Sequence, residues 1–211
     1  MLKVLGRTTS LNVQKVLWLL DELDMAYAHE NVGGPFGGNR EQAYLDLNPN
    51  GTVPTLIDGE FVLWESNAVM RYIANQYGGG RFYPEDIRAR ALVDQWTDWQ
   101  TSTLMPSLAP MFQGVVFDKR APTEMPDAIA ASERKLQILD RHLKGRSFMC
   151  AEALSLAEFA LGSCVYRWFH FGVGTEPLAD LRRWYDHLTA RPAFQKHIMV
   201  GVPNFTPPAG R

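Results

Sequence analysis

Three stretches of the chain carry polar groups at spacings that could do chemistry. In Gly6-Arg7-Thr8-Thr9-Ser10-Leu11-Asn12-Val13-Gln14-Lys15, the residues Thr9, Ser10 and Asn12 bring hydroxyl and amide groups to the point where a helical pattern starts. The N-terminus of a helix gathers unpaired amide donors and the positive end of the helix dipole. A thiolate held there gains a donated hydrogen bond and a favourable field. Lowering a thiol by two units from its free pKa of about 8.5 corresponds to about 2.7 kcal/mol of differential stabilisation, within reach of such a site. Ordinary capping accounts for the same letters, since Ser and Asn are preferred caps.

The second stretch is Asn50-Gly51-Thr52-Val53-Pro54-Thr55-Leu56-Ile57, followed after Asp58-Gly59 by Phe61-Val62-Leu63-Trp64-Glu65-Ser66-Asn67-Ala68. Asn-Gly and Asp-Gly are turn signals, and the Val, Thr, Leu, Ile and Phe around them predict a β-hairpin. Pro54 lies where the first strand should begin. A trans proline at a strand edge is its commoner use; a cis bond would turn the amide and carbonyl of Val53 outward, free to pair with an extended peptide-like ligand. Ser66 stands as the N-cap of a helix running through Val69, Met70 and Ile73, a place suited to a carboxylate, and Glu65 beside it could pair with an ammonium. Together they could hold an amino-acid zwitterion, although a Ser cap beside a solvated Glu explains the same letters. The third stretch is Asn39-Arg40, after a Gly-rich loop, where the arginine could give a carboxylate a forked, charge-assisted pair or simply be solvated.

The elements that must position these groups follow from periodicity. Leu2-Lys3-Val4-Leu5 suits a buried strand, the apolar set 13, 16, 17, 20 and 23 a helix, and Ala26 to Val32 a second strand, which makes a right-handed parallel crossover. With the hairpin and its helix, residues 1–77 give βαβ then ββα, the thioredoxin-like order. Gly78-Gly79-Gly80 and Pro84 mark a linker over 78–85. Beyond it, residues 86–211 show helical periodicity over roughly 86–117, 124–144, 155–170 and 178–190, an all-helical second domain. Pro106 and Pro110 should kink or interrupt the first segment. Ser155-Leu156-Ala157-Glu158 fits a capping box. The expected fold class is therefore an α/β thioredoxin-like N-terminal domain plus an all-α C-terminal domain.

Composition narrows the partners. The 211 residues, 46% hydrophobic, suffice for one sizeable core or two modest ones. A net charge of -2 with no basic cluster argues against nucleic acid as a main partner. No apolar run is long enough to span a membrane and no signal-peptide pattern opens the chain, so a cytoplasmic location is expected. Cys150 and Cys164 are not spaced as a redox pair, and the five histidines show no metal-ligand spacing, so no metal is expected.

The run from Asn50 through Leu56 with Glu65 through Ile73, together with Gly6, Arg7, Ser10, Asn12, Lys15, Val16 and Trp18, resembles the cytosolic glutathione transferases, in particular a bacterial serine/asparagine-type subgroup. The resemblance covers nearly the whole chain, including Ser155 to Glu158, where the family usually has Asp in place of Glu158, and the late helix from Leu181 to its stop at Arg191-Pro192. It implies glutathione as cosubstrate, a cis Pro54, Val53 on the cysteinyl backbone, Glu65 and Ser66 on the γ-glutamyl group, and Asn39 and Arg40 at the glycyl carboxylate. Ser10 or Asn12 would donate to the sulfur, with Ser10 first by its place before the helix. The thiolate would attack a small, hydrophobic electrophile. Trp96, Trp99, Met111 and Phe112 are named for its pocket from among the apolar residues of the helical domain, which also include Met105, Phe117 and Phe205, although residues of this kind usually form core. The family's members are homodimers, which sets the same expectation here. Glutathione-dependent dehalogenation, disulfide reduction and a non-enzymatic binding module are the rival readings.

Overall fold

The computed structural model of the chain describes residues 1–150 and 152–202; Phe205 lies outside them. Four strands, β1 (Leu2–Leu5), β2 (Tyr27–Glu30), β3 (Thr55–Asp58) and β4 (Phe61–Trp64), form one mixed sheet in the order β2-β1-β3-β4. β1 runs parallel to β2 and antiparallel to β3, and β3 pairs antiparallel with β4. Helix α1 (Leu11–Glu22) makes the crossover, a single turn α2 (Gln42–Leu45) follows the Gly-rich loop, and α3 (Ser66–Tyr77) leaves the hairpin. Strands give way to helices after α3: α4 (Ile87–Trp99), α5 (Met105–Phe112), α6 (Pro126–His142), α7 (Leu156–Phe171), α8 (Ala179–Thr189) and α9 (Pro192–His197).

Helix α1 is the keystone. The periodic set from Val13 gives it one apolar face, yet Leu11, Gln14, Lys15, Trp18 and Leu19 are buried too, because α7 and α9 cover the side turned away from the sheet. Trp18 packs between Phe159 and Phe194, at centroid distances of 4.3 and 4.9 Å, and Gly162 leaves room for its ring. A single core therefore runs from the inner face of the sheet through α1 into the helical layers. A small satellite of Leu5, Val32 and Tyr44 lies apart from it.

Several expected boundaries shift. The second strand is shorter than 26–32. Pro106 and Pro110 do not break the first long segment: it continues as helix from 87 to 117, with wide π-turns at Gln100–Leu104 and Gln113–Phe117 on either side of α5. A proline cannot donate to the carbonyl four residues back, and a wide turn is one way a helix accommodates such an interruption. The capping box at Ser155 is present: the Glu158 carboxylate accepts from the Ser155 amide at 2.8 Å and also from the Met149 amide. The stretch 78–85 is irregular but packed, with Phe82 and Tyr83 buried and the Phe82 carbonyl accepting from Leu156.

Candidate active site

Strand register brings the three sequence stretches together. Thr55 pairs with both Leu5 and Trp64, so the turn after β1, the residues before β3 and the residues after β4 all meet at one end of the sheet. That end carries a cleft of about 330 Å³ lined by Arg7, Ser10, Asn12, Asn39, Arg40, Gly51, Thr52 and Val53. Five of these, Ser10, Asn12, Asn39, Arg40 and Val53, are residues the sequence singled out. Glu65 and Ser66 stand next to the cleft at the same sheet end, where antiparallel pairing beyond Trp64 leads toward Pro54.

Ser10 is the N-cap of α1 with extended backbone, and its main-chain carbonyl accepts from Val13 and Gln14. Its hydroxyl makes no capping bond. The amides of Leu11 and Asn12 also lack a partner among the described residues. The turn thus offers one hydroxyl and two backbone donors at the positive end of a helix. Asn12, two residues further on, is exposed on the cleft wall.

The Val53–Pro54 bond is cis. Neither the amide nor the carbonyl of Val53 has a hydrogen-bond partner among the described residues, which leaves one extended residue's worth of main-chain pairing open on the cleft wall. Asn39 donates its side-chain amide to the Gly51 carbonyl at 2.7 Å. Gly51, at φ +61, admits this approach: a Cβ there would lie 2.9 Å from both the Asn39 carbonyl and Arg40 Nη1. Arg40 is therefore laid across the Asn50-Gly51 turn at the cleft's rim.

Ser66 is the first residue of α3, not its cap. Glu65 occupies the cap position with a left-handed φ of +69, because β4 must turn sharply into the helix. Behind this turn, Asn67 accepts from Lys15 Nζ at 2.7 Å and donates to the Thr97 carbonyl at 2.8 Å and Thr101 Oγ1 at 2.9 Å. Lys15 is 1% exposed; burial lowers its pKa from 10.5 to about 8, partly countered by the fields of Cys164 and Glu65.

None of the four residues named for an electrophile pocket lines this cleft: Trp96, Met111 and Phe112 are buried and Trp99 is partly buried. Met111 is wholly buried, and Trp96 packs edge-on against Trp99 and tilted over His142. Phe112, also buried, sits against Phe171 and under the Arg167 guanidinium. Arg7, Lys15 and Asn67 stood in the sequence motifs without a role assigned to them, and Arg167 was not singled out at all. For Arg167 a signal existed, a lone cation within an otherwise apolar helical run. A larger groove of about 480 Å³, lined by Asp21, Glu22, Arg81 and Arg191 among others, lies at the far end of α1. Its Glu22 and Arg191 are already locked in a two-bonded ion pair, which marks it as a structural junction.

The family described as Glutathione S-transferase, N-terminal domain, matches residues 9–76. Glutathione S-transferase GstB of Escherichia coli strain K12 is 37% identical over 210 residues, spanning 96% of this chain and 100% of that protein. Glutathione S-transferase 2 of Anopheles gambiae is 30% identical over 73% of this chain and 74% of its own length. Among solved structures, the theta class glutathione S-transferase from the citrus canker pathogen Xanthomonas axonopodis pv. citri, with glutathione bound, superposes with a TM-score of 0.90 at 40% identity, covering 95% of this chain and 98% of that one. Likeness to these proteins, over 96% of the chain for the Escherichia coli one, joined to a thioredoxin-like sheet with its cleft at the N-terminus of α1, places the chain in the glutathione S-transferase family.

Proposed function

We propose that the cleft binds glutathione in an extended form, with Ser10 donating to its sulfur. The glycyl carboxylate meets Arg40 and Asn39, the cysteinyl main chain pairs with Val53 beside Pro54, and the γ-glutamyl end lies at Glu65 and Ser66. Asn12 is the alternative donor to the sulfur. The unspent Ser10 hydroxyl carries this reading: a serine at an N-cap ordinarily bonds its own helix, and this one, with two free amides behind it, is left for a ligand. Because the nucleophile arrives with the cosubstrate, the protein's work is to lower the thiol's pKa and hold it against a hydrophobic electrophile. The thiolate's electron pair forms the new carbon–sulfur bond as the leaving group departs.

In this reading residues 1–77 hold glutathione, 78–85 connect, and 86–211 supply the electrophile's side of the cleft. The chain acts as a cytoplasmic homodimer in detoxifying conjugation. Calorimetric titration with glutathione from pH 5.5 to 9 tests the central claim. Binding should release a proton below the free thiol's pKa of about 8.5, and Ser10→Ala should abolish that release. Its loss in Asn12→Ala instead would transfer the role, and absence of binding at millimolar glutathione would overturn the reading.

A further inference from the structure

Two guanidinium groups flank the Ser10 turn, and neither meets a carboxylate among the described residues. Arg7 follows β1 and lines the cleft; its side chain lies along the Gly-rich loop, where a Cβ on Gly34 would come within 2.9 Å of Arg7 Cδ. Arg167 reaches the turn from the helical side. Its Nη2 donates to the Thr9 carbonyl at 2.9 Å and its guanidinium lies 5.8 Å from the centre of the Phe112 ring. Arg167 belongs to a helix in which nearly every other side chain is buried. Burial and the nearby Arg7 charge both weaken its hold on its proton, while Cys164 and Tyr166 act the other way.

A half-buried cation normally has a partner, because desolvation without compensation is expensive. Here two cations stand near one another with no carboxylate partner among the described residues, Arg167 having only a neutral carbonyl and an aromatic ring. Glutathione, bound as proposed above, does not supply enough charge to answer them. Its glycyl carboxylate is met by Arg40 and its γ-glutamyl zwitterion by Glu65 and Ser66. That leaves the single thiolate charge, already served by the Ser10 hydroxyl and the helix N-terminus, opposite two guanidiniums. The excess positive charge lies where the second substrate must approach the sulfur.

We infer that the electrophile carries a carboxylate, held by Arg7 and Arg167 beside the Ser10 turn while its apolar part faces the helical layer. Arg167 and Arg7 are then specificity residues for an acidic halide or similarly activated acid. In the reaction the thiolate pair makes the carbon–sulfur bond and the halide leaves with the carbon–halogen pair; the proton was released when glutathione ionised, so no oxidant or reductant is required. This inference rests on the transferase reading of the cleft.

The test compares 4-chloro-3,5-dinitrobenzoate with 4-chloro-3,5-dinitrobenzamide at saturating glutathione, each kcat/KM divided by the uncatalysed rate constant for that compound. The normalised ratio of acid to amide should exceed one in the unmutated protein. It should fall about tenfold in Arg7→Met and again in Arg167→Met, the scale of one charge-assisted contact. Arg167→Lys, which keeps the charge, should recover much of the ratio even where the lost Thr9 contact lowers both rates. A ratio at or below one with the amide turned over, or a ratio unmoved by both Met variants, overturns the inference alone. So does a ratio unmoved while the ultraviolet thiolate signal of bound glutathione titrates at higher pH in the variants, which would assign the arginines to the sulfur. A failure to turn over either compound, with no glutathione binding by calorimetry, overturns the transferase reading itself.

Discussion

At the scale of single residues, Ser10 and Glu65 are both held in unusual ways, and each yields a prediction. The Ser10 hydroxyl forgoes its capping bond, so Ser10→Ala should cost the fold little while removing the donor to a developing thiolate. A loss of about 10²–10³ in kcat is expected for one such donor, with the acid limb of the pH–rate profile displaced upward; steady-state kinetics at fixed saturating electrophile would read both. Glu65 is an exposed non-glycine residue at φ +69, a conformation that costs roughly 1–3 kcal/mol and clusters at functional sites. Glu65→Gly should therefore stabilise the protein by about 1 kcal/mol in urea denaturation, after the extra unfolded-chain entropy of glycine is allowed for. The same change should raise the KM for glutathione by about tenfold, through loss of a charge-assisted contact to the ammonium. A variant that is both less stable and unchanged in KM would deny Glu65 any strain or binding role. The polar site residues were legible in the sequence because turn and cap letters sit beside periodic segments. The juxtaposition of Arg7 with Arg167 was not, since it is made by α7 crossing the Ser10 turn, Arg167 lying 158 residues beyond Thr9 in sequence.

At the scale of elements, the junction of α1 with α3 and α4 is built around a buried amine. Lys15 donates to Asn67 and, at 3.4 Å, to Gln100 Oε1, and Asn67 in turn ties the start of α3 to Thr97 and Thr101. With its folded-state pKa at about 8 against an ordinary 10.5, Lys15 keeps its proton in the unfolded chain over a range where the folded protein has lost it. The unfolded state then binds more protons, so stability must rise with pH between about 8 and 10.5, by up to about 3 kcal/mol. Urea titrations over that range, taken as the difference between the unmutated protein and Lys15→Met, should show this slope; parallel curves would mean the amine titrates normally. Most elements were readable, since strand, helix, strand, hairpin and the long helical segments follow from periods of two and of 3.6; α2 was not, nor was α9, which opens at Pro192 where a helix stop was expected. What escaped was set by tertiary packing. The polar positions Gln14 and Lys15 become interior only because α7 and α9 cover α1, and the cap of α3 moves from Ser66 to Glu65 because the hairpin needs a left-handed residue there.

At the scale of the whole molecule, the sheet has two edges, β2 and β4, and they are dressed differently. On β2, Glu30 is paired with Lys3 of the neighbouring strand, a charged edge of the kind that discourages further pairing. On β4, Phe61 is 47% exposed and Trp64 37%, and Phe61 continues into an aromatic row with Tyr72 and Tyr77. Both tyrosine hydroxyls donate to the Asp58 carboxylate, so the row is fixed in place before any partner arrives. A pre-ordered aromatic surface beside an uncovered strand is what an interface needs, because little side-chain entropy remains to be lost on association. If the proposed homodimer forms through this edge, sedimentation equilibrium should give twice the mass of one chain at micromolar concentration, and Phe61→Glu, which would bury two like charges in a twofold contact, should give the mass of one. Urea denaturation should then show the variant's midpoint independent of protein concentration and the unmutated protein's rising with it, since only an associated native state gains from mass action. An unmutated chain that sediments at single mass would remove the dimer, and a dimer indifferent to Phe61→Glu would move its interface away from β4.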